Sequence, residues 1–267
     1  MKITSWNINS IRLRIDLVTR FMKEEAPDVL CLQEIKCVDD SFPAKAIRDA
    51  GYEHQAVFGQ SGYHGVAIVS RLPLKNIERH DFCAKGDSRH IAASLPGGIR
   101  VHNFYVPAGG DEPDRKVNEK FGHKLDFLDE MTTWFGELGP RSKSVLVGDL
   151  NVAPREHDVW SHKQLLKVVS HTPIEVEKLR QVIDAHGWID VARELICEPE
   201  KLYTWWSYRA KDWKASNRGR RLDHIWVSPA LKKAALSGGR DAYQIHEDAR
   251  GWERPSDHAP VSLTLQL

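Results

Sequence analysis

Two polar side chains that could act together, those of Asp149 and Asn151, stand two residues apart directly after an apolar run. The run, residues 145–147 followed by Gly148, has the pattern of a buried strand. If the backbone stays extended there, residues i and i+2 face the same way, so a carboxylate and a carboxamide leave the strand end together. Asp, Asn and Gly are also common turn residues, and Pro154 stops the strand. Taken alone, the segment is better explained as a strand entering a turn.

The same arrangement recurs at the ends of other apolar segments along the chain. The polar residues found there are Asn7, Glu34, Tyr105, Asp223, Asp257 and His258. Each of them alone has an ordinary structural explanation, such as a turn, a helix cap or a solvated strand end. Their recurrence at one strand end after another, in residue types that bind ions and move protons, indicates a shared site.

This set of side chains fits one kind of chemistry. Carboxylate and carboxamide oxygens suit a hard cation such as Mg²⁺ or Mn²⁺, which can polarise a phosphate and stabilise a leaving oxygen. A second carboxylate could deprotonate an attacking water, and an imidazole held by another carboxylate could stabilise charge on a phosphoryl oxygen. The sequence has no P-loop, no G-x-S-x-G and no H-E-x-x-H motif. It therefore predicts metal-dependent hydrolysis of a phosphate ester by direct attack of water.

The elements that must position these residues have the pattern of an α/β fold. Apolar periodicity predicts strands at 1–8, 29–33, 51–58, 65–70, 74–82, 90–95, 100–105, 222–227 and 259–267, besides the one at 145–148. It predicts helices at 11–23, capped by Ser10, and at 42–50, 114–134 and 176–186. The series of strands from 51 to 105 favours mixed or antiparallel sheets, two of them packed together. No linker or repeat divides the chain, so we expect one domain over residues 1–267.

Composition excludes several classes of protein. The chain has 267 residues, 41% of them hydrophobic and 28% charged, with a net charge of +1, as expected for a globular protein with a sizeable core. No apolar run is long enough to span a bilayer, and no signal-peptide pattern precedes the first strand. The four cysteines form neither a C-x-x-C motif nor a paired framework. We therefore expect a reduced, cytoplasmic, monomeric protein without membrane association or structural zinc.

Local charge is more informative than net charge in the stretch from 203 to 221. Six basic residues and one acidic residue lie between Arg209 and Arg221. The aromatic residues interleaved with them are Trp205, Trp206, Tyr208 and Trp213. Cations neutralise backbone phosphates, and aromatic rings can fill the gap left by a displaced or absent base. The alternative is that the tryptophans belong to the hydrophobic core and that the charged residues form a solvated face. Because neighbouring residues of a strand point to opposite faces, either Trp205 or Trp206 is expected in the core.

Taken in order, these motifs resemble the bacterial exonuclease III family, the apurinic/apyrimidinic endonuclease group of the endonuclease/exonuclease/phosphatase superfamily. The segments that carry the resemblance are S-W-N-I-N-S-I-R (5–12), L-Q-E-I-K (32–36), G-V-A-I-V-S-R (65–71), N-F-Y-V-P (103–107), V-G-D-L-N-V-A-P (147–154), N-R-G-R-R-L-D-H-I-W-V-S (217–228) and P-S-D-H-A-P-V (255–261). Their ordered combination is far more specific than any single motif. The resemblance implies an α/β four-layered sandwich, in which two packed mixed β-sheets are flanked by helices.

The resemblance also assigns roles to the strand-end residues. Glu34 corresponds to a metal-ligand glutamate, Asn7 to an asparagine that supports the metal region, and Asp257 to an acidic residue suspected of binding a metal ion. Asp149 corresponds to the aspartate that activates or positions the water, and Asn151 to the asparagine that helps to orient it. The implied cofactor is Mg²⁺ or Mn²⁺, as one or two ions.

Three further residues are matched to the phosphate. Tyr105 and His258 correspond to residues that contact it, and Asp223 corresponds to the aspartate that orients the histidine.

Two residues depart from the commonest family pattern: His64, before G-V-A, and Ile35, after Q-E. Neither is a matched catalytic position, so we expect activity to be retained and His64 to affect only a loop near the DNA.

The resemblance also points to residues that contact nucleic acid. The segment W-W-S-Y-R, which contains Trp206, Tyr208 and Arg209, corresponds to a lining of the pocket for the abasic sugar. Asn217 and Arg218 correspond to an N-R-G turn near the DNA. The remaining candidates for phosphate contacts are Arg12, Lys36 and Lys124.

The predicted function is that of a DNA repair nuclease. It would cut the phosphodiester 5′ to an abasic site in duplex DNA and leave a 3′-hydroxyl, with accompanying 3′-to-5′ exonuclease and 3′-phosphatase or phosphodiesterase activity. Its partner would be double-stranded DNA with abasic sites or blocked 3′ ends. Two alternatives stay open: a phosphodiesterase of the superfamily that acts on RNA, undamaged DNA or a small phosphate ester, and a DNA-binding relative without catalysis. The intact matched positions argue against the second.

Overall fold

The structure, a computed structural model, describes residues 1–139 and 142–267. In these residues the β-strands are β1 (Lys2–Asn7), β2 (Val29–Gln33), β3 (His54–Phe58), β4 (Val66–Ser70), β5 (Lys75–Arg79), β6 (His90–Leu95), β7 (Ile99–Tyr105), β8 (Ser144–Asp149), β9 (Ile189–Asp190), β10 (Trp205–Trp206), β11 (Gly219–Arg220), β12 (Asp223–Val227), β13 (Tyr243–Ile245) and β14 (Val261–Thr264). The α-helices are α1 (Ile15–Glu25), α2 (Ala44–Asp49), α3 (Glu119–Leu138), α4 (His162–Leu165), α5 (Pro173–His186), α6 (Val191–Leu195), α7 (Trp213–Ser216), α8 (Lys232–Leu236) and α9 (Glu247–Arg250). None of the helices in this part of the chain is long and apolar enough to cross a membrane.

Most of the strands belong to two large mixed sheets. The first sheet has the order β13-β14-β1-β2-β4-β3, and the second has the order β5-β6-β7-β8-β12-β9. In the first sheet β1 and β2 pair in parallel, and in the second sheet β7 and β8 do. The other neighbours pair antiparallel. Strands β10 and β11 form a separate two-stranded ribbon.

Apolar side chains from the inner faces of the two sheets form the central core. Ile3 and Ile68 of the first sheet meet Val101, Val147 and Ile225 of the second, and all five are fully buried. Alternate residues of a strand point to opposite faces, so each sheet also presents an outward apolar face. Burying such a side chain fully stabilises the fold by roughly 1.5–3 kcal/mol.

Helices cover the two outward faces. On the first sheet, Phe21 of α1 packs with Trp6 and Leu32. On the second sheet, Leu128 of α3 packs with Leu146, and α5 belongs to the same apolar cluster. The order of layers is therefore helix, sheet, sheet, helix, and the predicted α/β four-layered sandwich is confirmed.

The predicted strands recur with shifts at their ends, and two predicted helices begin too early. Helix α1 begins at Ile15 rather than at residue 11, and Ser10 does not cap it, because Ser10 adopts a φ of 87° and its N–H donates to Glu34 O at 2.7 Å. Helix α3 begins at Glu119 rather than at 114, since the Asn118 side chain caps it by accepting from the backbone N–H groups of Lys120 and Phe121. The periodicity of apolar residues does not show which side chain caps a helix, so it does not locate the first residue of the helix.

Lys124 of α3 does not face solvent, so the prediction that it contacts a phosphate is wrong. Its side chain is fully buried, and its Nζ donates to Glu175 of α5 and, at 2.7 Å, to the carbonyl oxygen of Asn151. Glu175 also accepts from the backbone N–H groups of Ser170 and Thr172. This buried ion pair joins two outer helices to the turn that follows β8.

Two histidines lie against each other beneath α3. His90 of β6 and His102 of β7 are both buried, and His90 Nε2 lies 3.3 Å from His102 Nδ1. The Trp134 ring packs edge-on against both. Burial, reinforced by the charge on Arg100, lowers the pKa of His102 to about 3, and burial also lowers the pKa of His90 well below its ordinary value. Both rings are neutral in the folded protein at neutral pH.

Replacing His102 by phenylalanine should make the fold less sensitive to acid. An unfolded histidine takes up a proton near pH ~6.5, whereas folded His102 does so only at about 3, so the unfolded state binds more protons between these values and stability is lost as the pH falls. The loss is roughly 1.4 kcal/mol per pH unit for each such group. Urea unfolding at about pH 7 and about pH 5 should show a smaller fall for the variant. His54→Phe, at a partly exposed position of β3, is the matched control, and equal falls in all three proteins would contradict the expectation.

Lys124→Met should lower the free energy of unfolding by roughly 3 kcal/mol, because it leaves the Glu175 carboxylate buried without its cation. Lys120→Met, at an exposed position of the same helix, is the matched control and should change it by less than about 0.5 kcal/mol. Denaturant unfolding measures both. A Lys124→Met protein as stable as the Lys120→Met protein would contradict the role of the buried pair.

Candidate active site

The strand order brings the predicted polar residues to one edge of the sandwich. β1 and β2 are parallel with Asn7 opposite Gln33, so Asn7 and the following Glu34 lie at the same edge. β7 and β8 are parallel with Tyr105 opposite Asp149, and the antiparallel β12 starts at this edge with Asp223 opposite Asp149. Both sheets therefore end in polar residues at the same place.

His258 reaches this edge through the segment that precedes β14. That strand is antiparallel to β1, so its start lies beside the end of β1. The carbonyl oxygen of His258 accepts from Trp6 Nε1 at 3.1 Å, and Ser256 Oγ donates to the carbonyl oxygen of Asn7 at 2.6 Å. A bridge to Trp205 fixes the other side of the His258 backbone. The imidazole is thus held by strand-like contacts rather than by a free loop.

The carboxamide of Asn7 joins the two sheets. Its Nδ2 donates to Glu34 Oε1 and to Asp149 Oδ2, both at 2.9 Å, and Asn7 is fully buried. Glu34 also accepts from the Tyr105 hydroxyl at 2.8 Å and forms a salt bridge with Lys36 Nζ at 2.8 Å. Five predicted positions, Lys36 among them, therefore form one connected hydrogen-bond network.

The backbone around this network is unusual. Among the described residues that are not glycine, those near the site with positive φ are Asn9, Ser10, Glu34, Lys36 and Asn151. Such conformations cost of order 1 kcal/mol or more each and persist only where the surroundings enforce them. The packing around this edge of the sandwich therefore holds several residues in strained conformations.

Asn151 lies in a turn, not on the extended continuation of β8. Its φ is 54° and its backbone N–H donates to Asp149 Oδ1 at 2.9 Å. Its Nδ2 donates to the carbonyl oxygen of Val106 at 2.9 Å. The strand therefore enters a turn closed by the Asp149 carboxylate, as the residue types of this segment predicted, and the alternative of a continued extended strand is wrong. Both side chains nevertheless line the same cleft.

Asp149 is a buried carboxylate with an elevated proton affinity. Its side chain is 1% exposed, and burial, together with the Asp223 and Glu34 carboxylates, raises the pKa of Asp149 to about 7 against the opposing effects of His258 and Asn7. A carboxylate in this state can accept a proton near neutral pH.

His258 is held in the opposite state. Its Nδ1 donates to Asp223 Oδ2 at 2.8 Å, and Asp223 Oδ2 also accepts from Thr204 Oγ1 at 2.6 Å. Burial would lower the pKa of His258, but the Asp223 and Asp149 carboxylates outweigh it and raise the pKa to about 10. The ring is therefore an imidazolium at neutral pH, and its Nε2 lies 3.7 Å from Asp149 Oδ2. Burial and the nearby Glu34 carboxylate raise the pKa of Tyr105 well above its ordinary value, so this phenol keeps its proton.

The oxygen atoms of the cluster suit a hard cation. Glu34 and Asp257 line the same cleft, and Asn7 contacts Glu34. Asp257 accepts from Asn9 Nδ2 at 3.0 Å and from Trp205 Nε1 at 2.9 Å, which leaves it oriented and ionised. The carboxylate oxygens of Glu34 and Asp257 match the preference of Mg²⁺ and Mn²⁺. Asn7 orients Glu34 through Nδ2, and its Oδ1 accepts from the Asn9 N–H at 3.0 Å.

A second group of possible ligands lies beside the first. Asp149, Asp223 and His258 each offer an atom within 4.8 Å of the others. His258 Nδ1 donates to Asp223 Oδ2, whereas Asp223 Oδ1 is buried without a hydrogen-bond partner in the part of the chain that the structure describes. Because the imidazole is already held by this hydrogen bond, we expect proton and phosphate chemistry from this group rather than ion binding.

One cleft of about 590 Å³ extends from the catalytic residues to an apolar wall. Glu34, Asp149 and His258 line one side of it. The apolar wall consists of Trp160, Val168, Val169, Trp205 and Leu222. The basic residues Arg209, Arg218 and Arg220 line it as well. The cleft can therefore accept a small apolar group beside a bound phosphate.

The predicted DNA contacts divide into exposed and buried residues. Arg12, Tyr208, Arg209, Asn217 and Arg218 are exposed and Lys36 is partly exposed, as a DNA-facing role requires. The prediction for Trp206 is wrong, since this ring is 2% exposed and its Nε1 donates to Asn217 Oδ1 at 3.0 Å. Trp205, its neighbour on β10, faces the cleft instead. The alternation of faces along a strand predicts that one of these two tryptophans is in the core, but it does not predict which one.

The two departures from the family pattern lie close to the site. Ile35 is fully buried and packs with the core beneath α1. The His64 ring lies 6.5 Å from the Tyr105 ring, and burial, with the charge on Arg89, lowers the pKa of His64. Both residues contact the neighbourhood of the catalytic network without replacing a member of it.

Sequence reasoning missed several residues that shape the site. They are Asn9, Tyr63, Trp160, Thr204, Arg220 and Leu222. Thr204 and Arg220 belong to the stretch 203–221, and Leu222 belongs to the segment 217–228, so membership of these motifs was a usable signal for them. Trp160 stands alone in the sequence, and only the fold brings it to the cleft.

Comparison with known proteins agrees with this geometry. The endonuclease/exonuclease/phosphatase family pattern matches residues 4–258. Exodeoxyribonuclease III of Haemophilus influenzae is 33% identical over 273 residues, with 98% of each chain covered. A 3′ phosphatase from Neisseria bound to a product DNA hairpin superposes with a TM-score of 0.91 at 32% identity, and an AP endonuclease from Archaeoglobus fulgidus does so with a TM-score of 0.91 at 31% identity. Both comparisons cover 100% of this chain and 100% of the other.

The resemblance to the exonuclease III family is thereby confirmed over nearly the full length of the chain. From its sequence match, its relatives and its fold, the chain belongs to the endonuclease/exonuclease/phosphatase family, whose nucleases are divalent-metal-dependent enzymes.

Proposed function

We propose that this nuclease hydrolyses the phosphodiester 5′ to an abasic site in duplex DNA and leaves a 3′-hydroxyl end. Exonuclease action from 3′ ends and removal of 3′ blocking groups accompany this incision. Relatives named exodeoxyribonuclease III and AP endonuclease support the reaction class. We further propose that the enzyme acts as a monomer in the cytoplasm, which is consistent with its four free cysteines.

The observation that carries the proposal is the apolar wall of the cleft beside the catalytic residues. Asp149 and His258 share one cleft with Trp160, Trp205 and Leu222. An abasic nucleotide is easier to extrude from a duplex than an intact one, because no base stacking is lost. A sugar without a base fits against such a wall, whereas an attached base needs additional room. The cleft therefore favours base-free nucleotides.

Asp149 acts as the base that takes a proton from the attacking water. Asn7 and the backbone N–H of Asn151 fix its two oxygens, and its pKa of about 7 matches this task at neutral pH. The water oxygen forms a bond to phosphorus, and the bond from phosphorus to the 3′ oxygen breaks. Asn151, whose carboxamide lines the same cleft, helps to orient the water.

His258 and Tyr105 stabilise the phosphate as its charge develops. The imidazolium of His258 presents its Nε2–H to the cleft, while Asp223 holds the ring through Nδ1. Tyr105 keeps its proton and can donate it in a hydrogen bond. Hydrogen bonds aimed at the developing charge in a partly buried site lower the barrier more than they would in water.

Glu34, Asn7 and Asp257 would hold the metal ion, which we propose to be Mg²⁺ or Mn²⁺, as one or two ions. Such an ion would supply Lewis-acid polarisation of the phosphate and stabilisation of the leaving oxygen. Lys36 balances part of the negative charge of Glu34 before any ion binds.

The exposed basic residues around the cleft would contact the DNA backbone. Arg12 and Lys36 lie on the side of β1 and β2, and Arg209 and Arg218 line the opposite mouth of the cleft. The Arg218 guanidinium stacks 4.7 Å from the centre of the Trp160 ring, so its charge is fixed rather than freely mobile. Backbone contacts of this kind position a duplex without reading its sequence.

A second activity, removal of a 3′ phosphate, is supported by the same residues. The chemistry at phosphorus is identical, and the apolar part of the cleft is then left to solvent. The related Neisseria enzyme bears the name 3′ phosphatase.

A cleavage assay should separate the proposed substrate from its alternatives. A duplex with one abasic site should be cut to a product with a 3′-hydroxyl end, faster than an undamaged duplex, an RNA duplex or an inositol phosphate. Excess EDTA should stop the reaction, and Mg²⁺ or Mn²⁺ should restore it. An enzyme that leaves the abasic duplex intact but hydrolyses one of the other substrates would refute the proposal, and full activity in EDTA would refute the role of the metal.

Asp149→Asn should lower turnover on the abasic duplex by roughly 10²–10⁴-fold, because an amide of the same shape cannot accept the proton. Binding to the same duplex, measured by fluorescence anisotropy in EDTA, should change little. Asp184→Asn, at an exposed position on α5, is the matched control and should keep native turnover. Undiminished turnover of the Asp149→Asn enzyme would remove Asp149 from the mechanism.

A further inference from the structure

Arg220 lies in the substrate cleft, although neither the catalytic network nor the proposed phosphate contacts include it. It is the last residue of β11 and pairs with Trp205 of β10. Its guanidinium lies over the Trp205 ring, 5.3 Å from the ring centre, and its side chain lines the cleft together with Leu222 and His258. A cation therefore forms part of a wall that is otherwise largely aromatic and aliphatic.

The guanidinium is held in a fixed position. Its Nη1 donates to the carbonyl oxygen of Val169 at 3.0 Å and to Ser170 Oγ at 2.8 Å. Stacking on Trp205 restrains the plane of the group from the other side. Ser170 is itself anchored, because its backbone N–H donates to the buried Glu175 carboxylate at 2.9 Å. Arg220 therefore presents its remaining donors in one direction.

These remaining donors have no protein acceptor. Within residues 1–139 and 142–267, Arg220 forms no salt bridge, its Nε is buried without a hydrogen-bond partner, and its Nη2 makes no hydrogen bond to protein. An arginine carries five N–H donors, and leaving buried donors unpaired is unfavourable. The neighbouring Trp160, Val168 and Leu222 side chains offer no oxygen acceptor. A bound molecule in the cleft can supply one.

We propose that Arg220 is a specificity-determining residue that donates a hydrogen bond to the oxygen on C1′ of a base-free deoxyribose. An intact nucleotide carries the base nitrogen at C1′, whereas an abasic sugar carries a hydroxyl or, in its open form, a carbonyl oxygen. Arg220 thus reads the atom that distinguishes the damaged nucleotide, while the apolar wall excludes a base by size. A site that donates a hydrogen bond to a substrate oxygen discriminates strongly against analogues that lack this oxygen.

The proposal rests on the proposed function, and a substrate pair tests it separately. One duplex carries a natural abasic site, and the other carries a tetrahydrofuran analogue that lacks only the C1′ oxygen. A hydrogen bond to a charged donor predicts that the native enzyme prefers the natural site in kcat/KM by roughly tenfold to hundredfold. Gel analysis must show a 3′-hydroxyl product in each case, since spontaneous elimination at a natural abasic site gives a different end.

Arg220→Met keeps an apolar stem over Trp205 but removes every donor. This variant should lose more kcat/KM on the natural site than on the analogue, so that the ratio between the two substrates falls close to one. Arg180→Met, at an exposed position on α5, is the matched control and should keep the native ratio. Circular dichroism and thermal unfolding establish that both variants are folded.

The outcomes distinguish this inference from the function on which it rests. If the native enzyme cuts neither duplex, the proposed function fails. If it cuts both equally well, or if Arg220→Met keeps the native preference, the role of Arg220 fails while the function stands.

Hydrolysis of a 3′ phosphate end provides one more check, because that substrate has no C1′ group in the cleft. An equal loss of activity of Arg220→Met on that end would mean that Arg220 contacts the phosphate instead, and would also overturn the inference.

Discussion

The site depends on one carboxamide that donates to two carboxylates from different sheets. Asn7 Nδ2 is 2.9 Å from both Glu34 Oε1 and Asp149 Oδ2, and it is fully buried. Two carboxylates brought together in a partly buried edge repel each other, and the pKa of Asp149 is raised to about 7 in part for this reason. The Asn7 amide offsets part of that repulsion while fixing the distance between the metal region and the base. Everything that keeps the two sheets packed therefore also keeps the catalytic groups in register.

The frame around this contact consists largely of buried charges in pairs. Lys124 connects α3 to Glu175 of α5 and also donates to the carbonyl oxygen of Asn151, so an outer helix layer holds the catalytic turn. On the other side of the turn, Arg221 pairs with Asp158 and Asp190 beneath the start of β12. Such pairs add little net stability compared with apolar packing, but breaking one leaves a buried charge and is costly. They define one arrangement of the loops rather than increasing stability.

The same frame separates two kinds of recognition within the cleft. In the proposed function, the exposed arginines and lysines at the mouth would neutralise phosphates and carry no information about the base. The apolar wall and the fixed guanidinium of Arg220 line the cleft, and Arg220 Nε is buried, so a hydrogen bond there counts for more than one in water. On this proposal, affinity for DNA and choice of the damaged nucleotide would depend on different residues, and substitutions would affect one without the other.

The sequence by itself determined ten of the fourteen strands of the described residues and the polar side chains at their ends, because periodicity and strand-end chemistry are local properties of the chain. The short strands β9, β10, β11 and β13 had no predicted counterpart. Asp149, His258 and Glu34 could be named from it, and the structure brings them into one network with Asn7. Only the tertiary structure decided that Lys124 is buried, since a lysine in a helix has the same local pattern whether it meets solvent or a buried carboxylate. It also decided that Trp205, not Trp206, faces the cleft, and that Arg220 belongs to the cleft. Those choices depend on which residues pack opposite β10 and β11, and such contacts are formed by segments far apart in the sequence.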